Sequence, residues 1–427
     1  MGEGRVRACH SERSEESRSI SEIFIREFNM TNTLAINGGN PVREKYLPYA
    51  QQWIDDADIK NVIDTLKSDY LTTGPKVKEL EEKIANYVEA KYAVAVANGT
   101  AALHSACFSA GIKKGDEVIT TPMTFAASAN CILYQGSNPV FADIDSKTYN
   151  INVKDIERKI TKKTKAIIPV DFTGQVVDLD SILEIAEKNN LIVIEDAAHA
   201  LGSEYKGKKV GSISHLTTFS FHPVKHITTG EGGIITTNNE EFYKKLTLFR
   251  NHGITRDNSL LINKKEGSWY YEQLELGYNY RITDIQCALG ISQLDKIENF
   301  IKRRKEIVNL YNKCLSQIDG VIIPYEADYS NSSWHLYVIQ LELEKLKVGR
   351  KEIFESLKAE NIGVNVHYIP VYYHPYYQKL GYKKGLCPNA EKLYERIITL
   401  PLFPKMTNKD VEDVVEAVNK VIKYYRR

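Results

Sequence analysis

The chain has 427 residues, a formal net charge of +1 and a composition typical of globular proteins. At about 100–200 residues per domain, this length predicts two or three units. The near-zero net charge gives no field that would gather nucleic acid or an anionic membrane surface. No apolar run approaches the roughly 18–20 residues of a membrane span. We therefore expect neither a nucleic-acid partner nor a membrane partner.

The six cysteines are scattered and form no CxxC pair. This spacing predicts neither a zinc ribbon nor a disulfide framework. A reduced, cytoplasmic setting fits such cysteines best.

Residues 1–30 differ from the rest of the chain, because they are rich in Ser, Arg and Glu and contain no apolar stretch of the kind a secretory signal needs. Two interpretations compete. The segment is either a disordered tail, or it is not native and translation begins at Met30. We favour the second.

Helix-like and strand-like patterns alternate from Asp55 onward. Helical apolar spacing predicts helices over residues 56–66, 77–87, 100–110 and 179–188. Short runs that are apolar on every side predict buried strands over residues 92–96, 117–120, 139–142, 166–170, 191–195, 217–221 and 233–237. Such runs suit strands that are covered on both faces of a parallel sheet.

The pattern changes near Asp284. One long helix is predicted over residues 284–305, and it is followed by strands over 334–343 and helices over 350–360 and 408–425. We therefore expect an α/β fold in which a large domain over residues 31–295, with a mostly parallel central sheet, precedes a smaller α+β domain over residues 296–427.

Ligands of open parallel sheets bind beyond the carboxyl ends of the strands, and residues 98–101 (NGTA) lie at one such end. A glycine turn there leads from a buried strand into a helix, whose free N–H groups would hold a phosphate. On its own this signal is weak, because many strand–turn–helix joints carry Gly for turn geometry alone.

Asp196 directly follows a second buried strand. A carboxylate in that position is costly unless it is paired, and the ring nitrogen of pyridoxal phosphate (PLP) would be such a partner. A helix N-cap is an equally good explanation of this residue on its own.

Lys225 lies in a loop, residues 220–233 (SFHPVKHITTGEGG), after a third buried strand. Apolar and glycine neighbours would desolvate the lysine and lower its pKa, which makes the amine usable for a Schiff base. A surface loop lysine is the ordinary alternative. The nearby His222 and His226 have no matching Cys or carboxylate set, so we expect no metal.

Four motifs follow one another along the chain: GTA at 99–101, EDAAH at 195–199, SFxxxK at 220–225 and TxGEGG at 228–233. This ordered set resembles the DegT/DnrJ/EryC1/StrS sugar aminotransferases, and the likeness runs from about residue 34 to the C-terminus. It implies a PLP cofactor and the fold-type I architecture of PLP-dependent transferases.

The resemblance also implies roles for individual residues. Lys225 would bond the cofactor and move protons, Asp196 would pair with its ring nitrogen, and Asn279 would reach the phosphate of the neighbouring subunit in a homodimer. Phe125 would stack on the ring, although a core aromatic is a rival interpretation. The implied cofactor contacts are Thr100, Ala101, Phe125, Asp196, His199, Ser220, Lys225 and Asn279.

Within the family, the chain resembles the pseudaminic-acid branch, and this resemblance implies transfer of an amino group from L-glutamate to C4 of a UDP-linked 4-keto-6-deoxy-N-acetylhexosamine. The likeness lies in residues 71–74, 128–130, 199–203 and 222–229, and in Asp171, where many other members have His. The implied substrate contacts are Tyr49, Asp69, Tyr70, Leu71, Thr72, Gly99, Ser220, Asn279, His367, Tyr368, Ile369 and Pro370. The aromatic run over residues 371–377 would stack on sugar or base, or belong to the core or to a dimer contact.

Three other functions remain open. The first is an aminotransferase for another nucleotide-linked 4-keto or 3-keto deoxysugar. The second is a PLP-dependent dehydratase, which Lys225 disfavours because those relatives carry His at that position. The third is a PLP-binding regulator without catalysis, but nothing in the sequence resembles a DNA-binding module.

Overall fold

The computed structural model describes residues 33–263 and 266–427. The tail over residues 1–30, and with it the hypothesis that translation begins at Met30, lies outside the described residues. Within them, no helix is long and apolar enough to cross a membrane. The cysteines of this part are unpaired and buried: Cys107, Cys131, Cys287, Cys314 and Cys387.

The first two thirds of the chain alternate helices with strands. The helices are α1 (Asp56–Leu66), α2 (Pro75–Tyr87), α3 (Gly99–Ser109), α4 (Ala127–Tyr134), α5 (Val153–Lys159), α6 (Leu179–Asn189) and α7 (Glu240–Phe249). The strands are β1 (Tyr92–Val96), β2 (Glu117–Thr120), β3 (Asn138–Phe141), β4 (Thr164–Ile168), β5 (Ile192–Asp196), β6 (Glu204–Tyr205), β7 (Lys208–Lys209), β8 (Leu216–Ser220), β9 (Gly233–Thr237), β10 (Ile254–Thr255) and β11 (Glu272–Gln273).

A seven-stranded sheet forms the centre, in the order β1-β9-β8-β5-β4-β2-β3. The strands from β8 to β3 run parallel to one another, whereas β9 is antiparallel to both of its neighbours. The predicted fold class, a mostly parallel sheet in an α/β protein, is confirmed. Sequence patterns do not reveal the direction of β9, because a short apolar run looks the same in either orientation.

Helices cover both faces of this sheet. Side chains alternate along each strand, so Val193 joins the core under α2, α6 and α8 (Asp284–Leu294), whereas Ile194 joins the core under α3 and α4. Both cores are fully buried, which explains why the strands are apolar on every side.

The last third of the chain forms a smaller unit. After α8 come the helices α9 (Ile297–Leu315), α10 (Arg350–Ala359), α11 (Pro375–Lys379), α12 (Pro388–Tyr394) and α13 (Asn408–Tyr425). Its strands are β12 (Val321–Ile322), β13 (Ser330–Asn331), β14 (Tyr337–Leu341) and β15 (Ile397–Leu400).

The single helix predicted over residues 284–305 is wrong, because α8 ends at Leu294 and α9 begins at Ile297. Lys296, between the two helices, reaches the carboxylates of Asp55 and Asp58 at 2.8 and 2.6 Å. These ion pairs fix the joint against the start of α1. The helical spacing of apolar residues continues on both sides of Lys296, so the sequence pattern does not show that the helix is interrupted.

The N-terminal segment packs with the C-terminal unit, since Leu34 and Leu47 belong to the same buried cluster as α9 and α13. The buried Glu360 ties them together: it accepts hydrogen bonds from the backbone N–H groups of Ala35 (3.0 Å) and Val42 (2.9 Å) and from the Lys420 amine (2.9 Å). The domain division after residue 295 stays a prediction, and residues 34–47 pack across it.

We expect Glu360→Ala to lower the free energy of unfolding by about 3–5 kcal/mol, because it leaves a buried lysine and two N–H groups without their acceptor. The matched control is Glu355→Ala on α10, the helix that ends just before Glu360. The pair of Glu355 with Lys358 is exposed and 3.8 Å long, so its loss should change the free energy of unfolding by no more than about 0.5 kcal/mol. Urea unfolding measures both. Equal shifts would contradict the bridging role.

Candidate active site

Lys225 lies in the loop between β8 and β9. Its backbone N–H donates to His222 O at 2.9 Å, and Phe221 bonds to Gly232 at 2.8 Å to close the base of the loop. The residue keeps some accessible surface, yet burial lowers the pKa of its amine to about 8, against an opposing pull from the Asp196 carboxylate. A much larger fraction of this amine is therefore neutral near pH 7 than in an ordinary lysine, as a nucleophile or proton acceptor requires.

Asp196 ends β5 and is buried. Its Oδ2 accepts a hydrogen bond from Ser128 Oγ at 2.6 Å, and its Oδ1 accepts one from the Ala198 N–H at 3.2 Å. Burial raises the pKa of the carboxyl, while Ser128, Ala198 and the nearby Lys225 lower it. Asp196 is therefore a hydrogen-bonded carboxylate near the Lys225 amine, and it can pair with a cationic group.

The N-terminus of α3 lies beside these groups. Asn98 caps the helix and accepts from the Ala101 N–H at 2.8 Å. The first N–H groups of a helix have no intrahelical acceptor, and those of Gly99 and Thr100 find none among the described residues. This end can therefore bind an anion through backbone N–H groups and the helix dipole.

Two glycines let the chain approach closely at this point. A Cβ on Gly99 would lie 3.0 Å from Cβ of Ser220, and a Cβ on Gly233 would lie 2.6 Å from the backbone oxygen of Asn98. The Ser220 hydroxyl, at the end of β8, thus lies next to the start of α3. Helix N–H groups and a hydroxyl together form a cradle of the size and polarity that suit a phosphate.

His199 hydrogen-bonds on one side to the backbone of Thr173 and on the other to the side chain of Tyr368. Its Nδ1 is 3.3 Å from the Thr173 N–H and its Nε2 is 3.0 Å from the Tyr368 hydroxyl. Because a backbone N–H only donates, Nδ1 accepts and the ring proton lies on Nε2. Burial and the nearby Lys225 hold the pKa of His199 well below its usual range, so the ring is neutral. Tyr368 therefore accepts from His199 and can donate its own proton into the pocket.

His367 and Tyr49 form the wall next to Tyr368. The His367 Nδ1 is 2.9 Å from Thr399 Oγ1, and the His367 ring lies 5.5 Å from the Tyr49 ring and 4.8 Å from the Tyr368 ring. Burial lowers the pKa of His367 to about 3. This wall is therefore aromatic and uncharged.

Phe125 is 63% exposed, and its ring lies 6.4 Å from that of Tyr368. Such exposure does not fit a core aromatic and favours a stacking surface. Ile369 is 41% exposed beside it, whereas Pro370 is buried and bonds through its oxygen to Tyr373.

Two groups of predicted contacts lie apart from this cluster. Residues 69–72 are exposed after α1, where Leu71 O accepts from the Asp284 N–H at 3.0 Å. Asn279 is exposed in the segment before α8. Among the described residues, neither group makes a hydrogen bond, ion pair or ring contact with Lys225.

The aromatic run over residues 371–377 belongs largely to the core. Tyr372 and Tyr377 are buried, and their hydroxyls donate to Glu391 and Asn130, both at 2.7 Å. Only Tyr376 is strongly exposed, at 61%. This packing favours the structural interpretation of the run. Among the described residues, no group of three or more His, Cys, Asp or Glu is arranged to hold a metal ion.

Sequence reasoning missed the contact between Ser128 and Asp196. Residues 128–130 stood out only through their family likeness, and the one local signal is a small polar residue on an otherwise apolar helix. The two partners are 68 positions apart in the sequence, so no local pattern links them.

A family model described as the DegT/DnrJ/EryC1/StrS aminotransferase family matches residues 52–419. The chain belongs to this family. It is 51% identical to the uncharacterized protein MJ1066 of Methanocaldococcus jannaschii, over 89% of this chain and 99% of that protein. It is 46% identical to the spore coat polysaccharide biosynthesis protein SpsC of Bacillus subtilis, over 89% and 98%. It is 41% identical to the UDP-4-amino-4,6-dideoxy-N-acetyl-beta-L-altrosamine transaminase of Campylobacter jejuni, over 89% and 99%.

Solved structures agree with this assignment. PseC of Helicobacter pylori, an aminotransferase of pseudaminic acid biosynthesis, matches with a TM-score of 0.83 at 33% identity, over 89% of this chain and all of that one. The PLP form of the sugar aminotransferase Spr1654 of Streptococcus pneumoniae matches with a TM-score of 0.82 at 35% identity, over 88% and 99%. The chain is a sugar aminotransferase of this family, and the family uses PLP.

The residues of the site fit this cofactor. The α3 cradle suits its phosphate, the buried Asp196 carboxylate suits its ring nitrogen, and the Lys225 amine suits its aldehyde. When bound, PLP supplies an electron sink for a carbanion.

We expect Ser128→Ala to weaken PLP binding about tenfold, because losing a hydrogen bond to a carboxylate removes about 1.5–3 kcal/mol and raises the pKa of Asp196 further. Fluorescence titration of the apoenzyme measures this affinity. Ser137→Ala is the matched control: it removes another buried hydroxyl, which donates to Lys113 O at 2.6 Å, and should leave PLP affinity unchanged. Equal affinities for the two variants would contradict the role of Ser128.

Proposed function

We propose that the chain transfers the amino group of L-glutamate to C4 of a UDP-linked 4-keto-6-deoxy-N-acetylhexosamine, as in pseudaminic acid biosynthesis. The observation that carries the reaction class is the buried Lys225 amine near the held carboxylate of Asp196. The sugar is inferred from the Campylobacter jejuni transaminase, which aligns over 99% of its length, and from the PseC structure.

Lys225 would serve twice in this reaction. Its amine would hold the aldehyde of the cofactor until the glutamate amine displaced it, and the freed amine would then accept a proton from the α-carbon of glutamate and, in the second half of the reaction, deliver a proton to C4 of the sugar. A pKa of about 8 suits both tasks, because the group exchanges protons readily near neutral pH.

The remaining groups would orient the reactants. Thr100, Ala101 and Ser220 hold the phosphate, Asp196 holds the ring nitrogen, and Phe125 stacks on the ring. His199 would lie near the phenolic oxygen of the cofactor, and its Nε2–H donates to the Tyr368 hydroxyl.

The keto-sugar would lie against the uncharged aromatic wall that Tyr49, His367 and Tyr368 form. His367 is neutral and Tyr368 can donate a proton, so this wall offers hydrogen bonds to hydroxyl or carbonyl oxygens without a fixed charge. Tyr49 supplies a ring surface, and Gly99, Ile369 and Pro370 complete the contacts that we propose.

A homodimer would complete the site. Within the described residues, residues 69–72 and Asn279 make no hydrogen bond or ion pair with Lys225 of their own subunit, and several apolar side chains close to them in the sequence are exposed. The most exposed are Tyr70 at 55%, Leu71 at 46%, Trp269 at 73%, Leu276 at 77% and Tyr278 at 42%. Burying such a surface against a second copy would bring Asn279 to the partner's phosphate cradle.

One observation favours a different sugar. SpsC, a spore coat polysaccharide protein, is more similar to the chain than the Campylobacter jejuni transaminase is, at 46% against 41% identity. The second candidate is therefore an aminotransferase for another nucleotide-linked 4-keto or 3-keto deoxysugar.

The activity test supplies the purified protein with L-glutamate and the UDP-linked 4-keto sugar, and NMR then assigns the configuration of the new amine at C4. We expect Lys225→Ala to lower turnover by about 10³-fold or more and to abolish the visible absorbance of the bound cofactor. Lys245→Ala, which removes an exposed lysine of α7, should be unchanged. Wild-type turnover by Lys225→Ala would refute the mechanism, and amination of only a dTDP-linked or 3-keto sugar would favour the second candidate.

The shared site is tested by co-expressing Lys225→Ala and Asn279→Ala chains with two different tags and isolating mixed dimers. Each parent homodimer should be nearly inactive. A mixed dimer should recover about half of the wild-type activity, because one of its two sites pairs an intact Lys225 with an intact Asn279. Mixed dimers that stay inactive would show that Asn279 acts within its own subunit.

A further inference from the structure

Two acidic side chains lie buried directly behind Asp196. Asp171 follows β4, and Glu195 precedes Asp196 on β5; both residues are fully buried. The reaction as proposed uses neither of them. Buried carboxyl groups are expensive unless they are paired, so these two require an explanation.

Each carboxyl group has one satisfied oxygen. Asp171 Oδ1 accepts from the Val177 N–H at 3.0 Å, and Glu195 Oε2 accepts from Thr217 Oγ1 at 3.0 Å. Asp171 Oδ2 and Glu195 Oε1 are buried and receive no donor from any described residue. The two groups lie within hydrogen-bonding reach of each other. Since a carboxylate oxygen only accepts, one proton between them is what satisfies both.

The electrostatics agree with one shared proton. Neither group forms a salt bridge with any residue that the structure describes, and the charged group facing the pair is another anion, Asp196. The other neighbours are the hydroxyls of Ser214 and Thr217, which together with Asp171 lower the pKa of Glu195 against the effect of burial, so the shared proton belongs mainly to Asp171. Burial raises the pKa of both carboxyls, and the charges of Glu195 and Asp196 raise that of Asp171 further. Two adjacent buried carboxyls do not both ionise.

The pair shares its backbone with Asp196. The Asp171 N–H donates to Asp196 O at 3.1 Å, and the Asp196 N–H donates to Pro169 O at 2.9 Å. Successive side chains of a strand point to opposite faces, so Glu195 lies on one side of the sheet and Asp196 on the other. A charge on the pair is therefore separated from Asp196 by little more than the thickness of one strand.

We propose that Asp171 and Glu195 are positioning residues that share one proton and hold one negative charge behind Asp196. This charge strengthens the hold of Asp196 on a cationic partner, the protonated ring nitrogen of the cofactor. The inference rests on the proposed role of Asp196 and does not depend on which sugar is aminated.

Amide variants separate charge from shape. In Asp171→Asn, the new amide donates to an ionised Glu195; in Glu195→Gln, it donates to an ionised Asp171. Each single variant therefore keeps one hydrogen bond and one negative charge. The double variant keeps the hydrogen bonds, because the Thr217 hydroxyl can accept as well as donate, but it has no charge.

The shared proton is tested in the apoenzyme by urea unfolding at several pH values. A carboxyl whose pKa is raised by folding stabilises the fold at low pH, and that stability is lost as the pH rises toward the folded-state pKa. Between about pH 5 and pH 7, the folding constant of the wild type should therefore fall about tenfold per pH unit relative to that of Asp171→Asn, which has no proton to share. Parallel pH profiles would overturn the proposal, and so would a failure of either single amide variant to fold.

The charge is tested by PLP affinity and by the pH at which the visible band of the bound cofactor changes. Both single variants should bind PLP within about threefold of the wild type, whereas the double variant should bind about tenfold more weakly and shift the pH midpoint of the band. If the pair only fills space, the double variant will match the singles, and the proposal fails. No keto-sugar enters these measurements, so their failure is distinct from a failure of the proposed transaminase reaction.

Discussion

Three neighbouring parallel strands, β4, β5 and β8, end at the same edge of the sheet, and the site depends on this constraint. Their ends carry Asp171, Asp196 and Ser220, which no local pattern brings together. The strands are buried on both faces, so their register is fixed by two cores at once. The ends of β5 and β8 hold the Asp196 carboxylate and the Ser220 hydroxyl in place, and the loop that leaves β8 supplies the Lys225 amine.

Burial then sets the protonation of the pocket. Four buried histidines near the lysine have pKa values below their usual range, chiefly because burial penalises the charged ring: His199, His226, His335 and His367. Because these histidine rings are neutral, Lys225 and Asp196 are the groups whose charges act most directly on a reaction in the pocket. Burial penalises the charged form of the Lys225 amine, so this amine can lose its proton near neutral pH.

The sequence predicts local elements well here, because both faces of the sheet are covered and every strand is a distinct apolar run; the strands over 92–96, 117–120 and 233–237 match to the residue. It does not predict features that arise from distant partners. The break at Lys296 comes from ion pairs with α1, and the hold on Asp196 comes from Ser128. The roles of Lys225 and Asp196 stay predictions from the fixed order of their motifs, and the structure brings the two charged groups near each other. The sharing of a proton by Asp171 and Glu195 becomes visible only when the two side chains are placed face to face.

The bonds that Glu360 makes to Ala35 and Val42 also constrain how the protein forms. Val42 and Glu360 are 318 residues apart in the sequence, and Lys420 of the last helix also bonds to Glu360. During synthesis, the N-terminal segment emerges first but finds its partners last, so Leu34 and Leu47 stay uncovered until nearly the whole chain has left the ribosome. Contacts so distant in sequence slow folding. The C-terminal unit is therefore the part of the molecule that should mature last and depend most on protection from aggregation.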